Sequence, residues 1–319
     1  MTCFIVMLLG MLVVTFMLRQ RVSNRRILCE SRQMGLARAI LYNDMLTGSF
    51  PGYRDEQTID LQGKPRPASW VFFTLPYLKD TTKPNFNYTD EKKRLDEKGL
   101  ETVIGPYAEV FKNYGPKAPA KWRGKTPATF LRELVCPNNP RPNDDVRTNC
   151  WMSFVANTGM PDTKATDVFP ADWTANGVFT DQFPGQRKRA ERASFLRLQS
   201  GDGAGVTLML AENIDSGLWT DVTEAQVGFC WTPKSSDSSK QHQKILWINE
   251  RVGEGDGSIR FARPSSYHKG GVNVAFCDGR TTFLSQDIDV LTYTRLMTSD
   301  SSNVRWPGTE TLVEVTEKE

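Results

Sequence analysis

Residues 1–18 carry no charge, and the stretches 4–9 and 11–18 are almost wholly apolar. Eighteen helical residues extend about 27 Å, close to the ~30 Å hydrocarbon core of a bilayer. Arg19 and Arg21 follow directly and have stems long enough to reach the interface and complete a span. The exit reads MLRQRVSNRR, without a small-x-small cleavage pattern, and no basic residue stands ahead of the apolar run. The expectation is a retained single-pass anchor over residues 1–22 rather than a cleaved signal.

The helical pattern does not stop at the charged exit. Residues 23–46 contain no Pro, and Ile27, Leu28, Met34, Leu36, Ile40, Leu41 and Met45 recur at helical spacing. Gly48 and Pro51 then break it. The spacing predicts one continuous helix from about Phe4 to about Met45, whose second half (a stem over 23–50) buries Leu36, Ile40 and Leu41 against a head over 51–319.

A second constraint lies near the other end, in residues 263–285, RPSSYHKGGVNVAFCDGRTTFLS. Val272, Val274 and Phe276 alternate with Asn273, Ala275 and Cys277, the period of a strand with one apolar face. Asp278-Gly279 is a hairpin signal, and residues 281–284 form the return strand. A two-residue loop sets Val274 opposite Phe283 and His268 opposite Asp289. His268 is thereby expected to be structural, bonded to Asp287 or Asp289 at the start of a short closing helix over 287–297.

His268 followed after nine residues by Asp278-Gly279, with Gly270 and Gly271 between, resembles the ending of a family of bacterial pilin-like proteins of undefined molecular function. These carry a prepilin-type N-terminal helix and a C-terminal motif associated with prepilin processing. The stem is similar to that family too: Arg25-Arg26, Cys29, Gly35-Leu36-Ala37 and the closing Gly48-Ser49-Phe50-Pro51 stand in its order. Further blocks resembling the family are Ser69–Leu78, the 130–136 entry to a C-P-x-x-P loop, 149–159, Asn176-Gly177-Val178-Phe179 and the T-x-x-x-x-E-N strand at 206–213. Counting back from Cys29, the family's Glu at the fifth mature position falls ahead of Met1.

The resemblance implies an α+β fold, with a long N-terminal membrane-anchored helix packed on an antiparallel sheet head. It implies a non-enzymatic structural or assembly subunit, a pseudopilin of a type II secretion or type IV pilus-like system. Partners would be the lipid bilayer and other pilin-like subunits through the N-terminal helix, with the head exported to the periplasm or cell surface. The alternative is a static cell-envelope module that binds a ligand or glycan.

Composition agrees with a real core and argues against several chemistries. Hydrophobic residues make up 39% of the chain, with 8 Trp, enough for one large head. The net charge of +3 is dispersed, and the one basic cluster, Arg187-Lys188-Arg189…Arg192, reads as a solvated patch or an anionic-lipid contact, so no nucleic-acid partner is expected. With only two His, His242 and His268, and no serine elbow, no catalytic residues are expected. Six Cys without a C-x-x-C spacing give no metal-ligand pattern. Cys136 and Cys150 flank a Pro/Asn-rich loop and are either a disulfide or two buried thiols. No cofactor is expected. The acidic Gly-rich turns 201–205 and 253–257 offer too few carboxylates for more than a marginal calcium site, so turn chemistry is their default reading.

Overall fold

The computed structural model describes residues 2–59, 65–78, 131–139, 151–183, 185, 187–233 and 244–315, and most side chains of 2–22 and 57–66 lie outside that description. Residues 90–113, Cys150 and His242 fall outside it as well.

Helix α1, Thr2–Thr47, is continuous over 46 residues. It ends where a glycine can turn the chain: Gly48 adopts φ +81° and its N–H returns to Asp44 O at 2.7 Å. Along α1 the described residues before Cys29 are exposed, among them Met7, Met11 and Val13. From Cys29 onward one stripe is buried: Cys29, Gln33, Leu36, Ala37, Ile40, Asn43 and Asp44. Their spacing of three and four is that of one helix face. The seam is therefore not the purely apolar stripe read from the sequence. Ile27, Leu28 and Met45 face outward, and Gln33, Asn43 and Asp44 take seam positions. Each polar seam residue has work there. Gln33 Nε2 donates to Asn273 O, Asn43 Nδ2 donates to Phe73 O, and the Asp44 carboxylate accepts from Phe195 N–H. Among the described residues no helix is long and apolar enough to cross a membrane.

The fold is mixed α+β. A small antiparallel hairpin, β1 (Arg54–Ile59) with β2 (Pro65–Ser69), leads into helix α2 (Trp70–Thr74), which packs on α1. The main sheet comprises β3 (Phe154–Gly159), β4 (Leu208–Glu212), β5 (Gly228–Cys230), β6 (Gly271–Phe276) and β7 (Thr281–Ser285). Its order is β5-β3-β4-β6-β7, antiparallel except for β3 beside β5. Helix α1 lies across β6 and β7, with Thr281 Oγ1 donating to Glu30 Oε1 and the Arg26 guanidinium 4.4 Å above the Phe283 ring. Leu36 and Ile40 join Phe154, Val274 and Phe179 in one continuous core.

Both faces of β6 are covered, with α1 packed against the strand: Asn273 and Ala275 are as enclosed as Val272 and Val274. The alternating pattern thus reports side-chain chemistry but not exposure. The hairpin register also differs from the sequence reading. Ala275 pairs with Thr281, Val274 with Thr282 and Asn273 with Phe283. The loop holds three residues, because Phe276 N donates to Arg280 O and Gly279 N to Phe276 O. Gly279 alone takes a positive φ, +85°, and Asp278 does not. That is the three-residue hairpin closed by a left-handed glycine, and it shifts every partner by one residue.

Residues 245–248 form an irregular segment held by Leu246 N–H to Arg260 O. The 131–136 segment turns through a 3-10 turn, Arg132–Leu134. Near the C-terminus an isolated bridge pairs Arg305 with Leu312. The closing helix is Val290–Met297, and Asp289 caps it by accepting from Thr292 N–H at 2.8 Å.

Candidate functional site

Under the stem the fold brings together four side chains from distant parts of the chain. Cys29 comes from the buried face of α1, Cys136 follows the Arg132–Leu134 turn, Glu212 ends β4, and His268 precedes β6. All four are buried. One donor atom from each lies within 4.8 Å of all the others. His268 Nε2 stands 3.3 Å from Glu212 Oε1 and 3.4 Å from Cys136 Sγ, and Cys29 Sγ stands 2.6 Å from Glu212 Oε1.

Local structure fixes each group. The second Glu212 oxygen, Oε2, accepts from Asn273 N–H at 2.7 Å, which leaves Oε1 turned into the cluster. His268 N–H donates to Ser266 Oγ, and that hydroxyl donates to Gly271 O, so the histidine loop is tied to the first residue of β6. Gly271 has no room for a side chain, since a Cβ there would meet Leu284 O at 2.0 Å. The neighbouring Gly270 needs φ +86° to bring the loop onto the strand. Together the two glycines let the chain turn from His268 directly into the sheet.

The His268 expectation is therefore corrected in its partner. Asp289 is occupied as the helix cap, where backbone N–H groups hold its carboxyl below the usual range. His268 faces Glu212 and Cys136 instead. The cysteine pairing differs likewise: Cys136 is joined to Cys29 in a disulfide with a Cα–Cα distance of 5.0 Å, while Cys150 lies outside the described residues. Asp278 and Gly279 stay at the far end of the hairpin, shaping its loop, and are not part of the cluster. Cys29 and Glu212 stood out in the sequence only as parts of family-like blocks, the stem and the 206–213 strand, and no spacing linked them to Cys136 or His268.

The acidic turns are used internally. Asp202 accepts from Thr298 Oγ1, Ser301 N–H and Ser301 Oγ, and Asp256 accepts from Ser258 N–H. In the basic cluster, Arg192 is committed to a two-pronged pair with the Asp55 carboxylate.

A second buried polar group lies beside β3 and β5. Tyr53 OH donates to Asp162 Oδ2 at 2.5 Å, Asp162 N–H donates to Glu224 Oε2 at 2.9 Å, and Cys230 Sγ donates to Glu224 Oε1 at 3.3 Å. Burial, reinforced by the neighbouring Asp172 carboxyl, raises Glu224 from its ordinary value near 4.5 to about 8. Burial and the adjoining carboxyls push Asp162 and Asp172 up as well. An acid raised in this way is protonated in the folded chain while its unfolded counterpart is already ionised. Stability is then highest below pH ~4.5 and falls as pH rises toward about 8, where the folded group ionises too. Urea melts at pH 5 and pH 8 are expected to show lower stability at pH 8, and Glu224→Gln is expected to shrink that difference. An unchanged difference in the variant would assign the slope to other groups.

Fold and site together define an α+β protein whose long N-terminal helix is cross-linked to a loop of its own sheet domain, at Cys136. A family model described as "Protein of unknown function (DUF1559)" matches residues 20–291, and the chain belongs to that family. No curated protein and no solved structure matches it.

Proposed function

We propose that the protein is a membrane-anchored, pilin-like structural subunit, non-enzymatic, with α1 serving as both anchor and assembly surface. The observation that carries this reading is the division of α1 into two halves. From Cys29 its inner face is sealed onto the sheet, whereas Met7, Met11 and Val13 are 74%, 71% and 51% exposed on the part that leaves the head. Large apolar side chains this exposed on a helix call for a lipid or helical environment. The uncharged 1–18 run matches the bilayer in length, and Arg19 and Arg21 behind it have stems long enough to reach the interface. In this reading the head faces the exported side, and neighbouring subunits pack along the N-terminal half of α1, as in type II secretion or type IV pilus-like assemblies.

Assembly through α1 has a direct test. In membranes from cells expressing Met11→Cys on a Cys3→Ser background, mild oxidation is expected to give disulfide-linked dimers. Leu196→Cys, placed on the exposed helix Phe195–Ser200 of the head, is expected to give several-fold fewer. Equal yields from the two positions would argue against packing along α1.

A further inference from the structure

We infer that Cys29, Cys136, Glu212 and His268 form a zinc site, in which the reduced chain holds one Zn2+ between two thiolates, one carboxylate oxygen and one imidazole nitrogen. This inference is independent of the assembly reading above. Zinc takes four Cys, His or carboxylate ligands at about 2.0–2.3 Å in a tetrahedron, whose edges are then about 3.3–3.8 Å. Two edges are already at that length, His268 Nε2 to Glu212 Oε1 at 3.3 Å and Cys136 Sγ to His268 Nε2 at 3.4 Å. The remaining donors lie within the 4.8 Å cluster, so small side-chain rotations bring all four onto a common centre once the two sulfurs are separate thiolates.

Cys29 Sγ stands 2.6 Å from Glu212 Oε1, shorter than a tetrahedral edge, so loading requires this pair to open by about 1 Å as the two sulfurs part. The carboxylate is also presented as a ligand should be, with Asn273 N–H on Oε2 and Oε1 turned inward. Thiolate and imidazole donors select zinc over calcium or magnesium, which prefer oxygen. Four protein ligands close the shell, the mark of a structural rather than a catalytic site. Two thiolates and a carboxylate leave one net negative charge on the loaded site, and Arg32, which donates to Val135 O at 2.6 Å, sets a guanidinium on the carbonyl just before Cys136.

Loading involves no electron transfer. The Cys29 and Cys136 thiols release two protons, two sulfur–zinc bonds form, and neutral His268 and ionised Glu212 complete the shell. Oxidation of the same thiols to the disulfide instead passes two electrons and two protons to an external disulfide, which is reduced to two thiols. The two states therefore compete for one pair of sulfurs, and both tie the stem to the head.

The test uses the full chain, purified in detergent with a thiol reductant and zinc, then desalted. Elemental analysis is expected to find about one zinc per chain. Exchange with Co2+ is expected to give sulfur-to-cobalt charge-transfer absorption and the intense visible bands of a tetrahedral ion. His268→Ala and Glu212→Gln are each expected to weaken zinc binding by more than about tenfold. Because either variant risks misfolding, the cobalt spectrum of the wild-type chain decides the matter without them. A folded, reduced wild-type chain with no bound zinc and no sulfur-to-cobalt band would overturn the inference, as would zinc that survives loss of both cysteines.

Discussion

Replacing Arg263 with Met is expected to lower the unfolding free energy by about 3–5 kcal/mol, the cost of leaving a buried carboxylate without its partner. The Arg263 side chain is fully buried and its Nη1 lies 2.7 Å from Asp215 Oδ2, itself almost fully buried. The same guanidinium donates to the carbonyls of Glu250, Arg251 and Phe261, so one side chain closes the 250–263 loop over the end of β4. Removing it strands a charge and three carbonyl acceptors at once. Denaturant unfolding of the variant measures the loss. Adding Asp215→Asn is expected to restore part of it, because the stranded charge disappears. A loss below about 1 kcal/mol would mean that water reaches Asp215 in the folded chain.

The second large effect concerns the stem. Cys29→Ala is expected to destabilise the docked stem by about 4–5 kcal/mol, the loop-entropy value for a cross-link that closes roughly a hundred residues. Cys29 and Cys136 are 107 positions apart. The value applies to the disulfide form; in the zinc form the same change removes a ligand and lowers stability through weaker metal binding to the folded chain. Hydrogen exchange along residues 29–44 would report the change locally, with protection falling there more than in β3 and β4. If protection is unchanged, the apolar contacts of Leu36 and Ile40 alone hold the stem.

These two effects mark the limit of what the sequence discloses. The continuous helix was legible because nothing between Phe4 and Met45 breaks it, and because Gly48 and Pro51 do. The hairpin was legible from Asp278-Gly279, but its register was not. Loop length depends on whether Asp278 adopts a positive φ, and composition does not decide that. The buried face of α1 was only half legible: Leu36 and Ile40 stand out, while Gln33, Asn43 and Asp44 are buried because they meet backbone groups of other elements. The cysteine, glutamate and histidine cluster was not legible as a unit. His268 and Cys136 drew notice for separate reasons, and only the crossing of α1 over β6 brings Cys29 to them. Arg263 likewise gives no local sign that its charge is buried.

The central claim is that α1 anchors the protein in a bilayer while its second half forms the spine of the head. Alkaline carbonate extraction of membranes from expressing cells tests this most directly, because it strips peripheral proteins and leaves spanning helices in place. The full chain is expected to stay in the membrane pellet after both high salt and carbonate, and a chain lacking residues 1–22 is expected to appear in the supernatant. Full-length protein released by salt or carbonate would contradict the account.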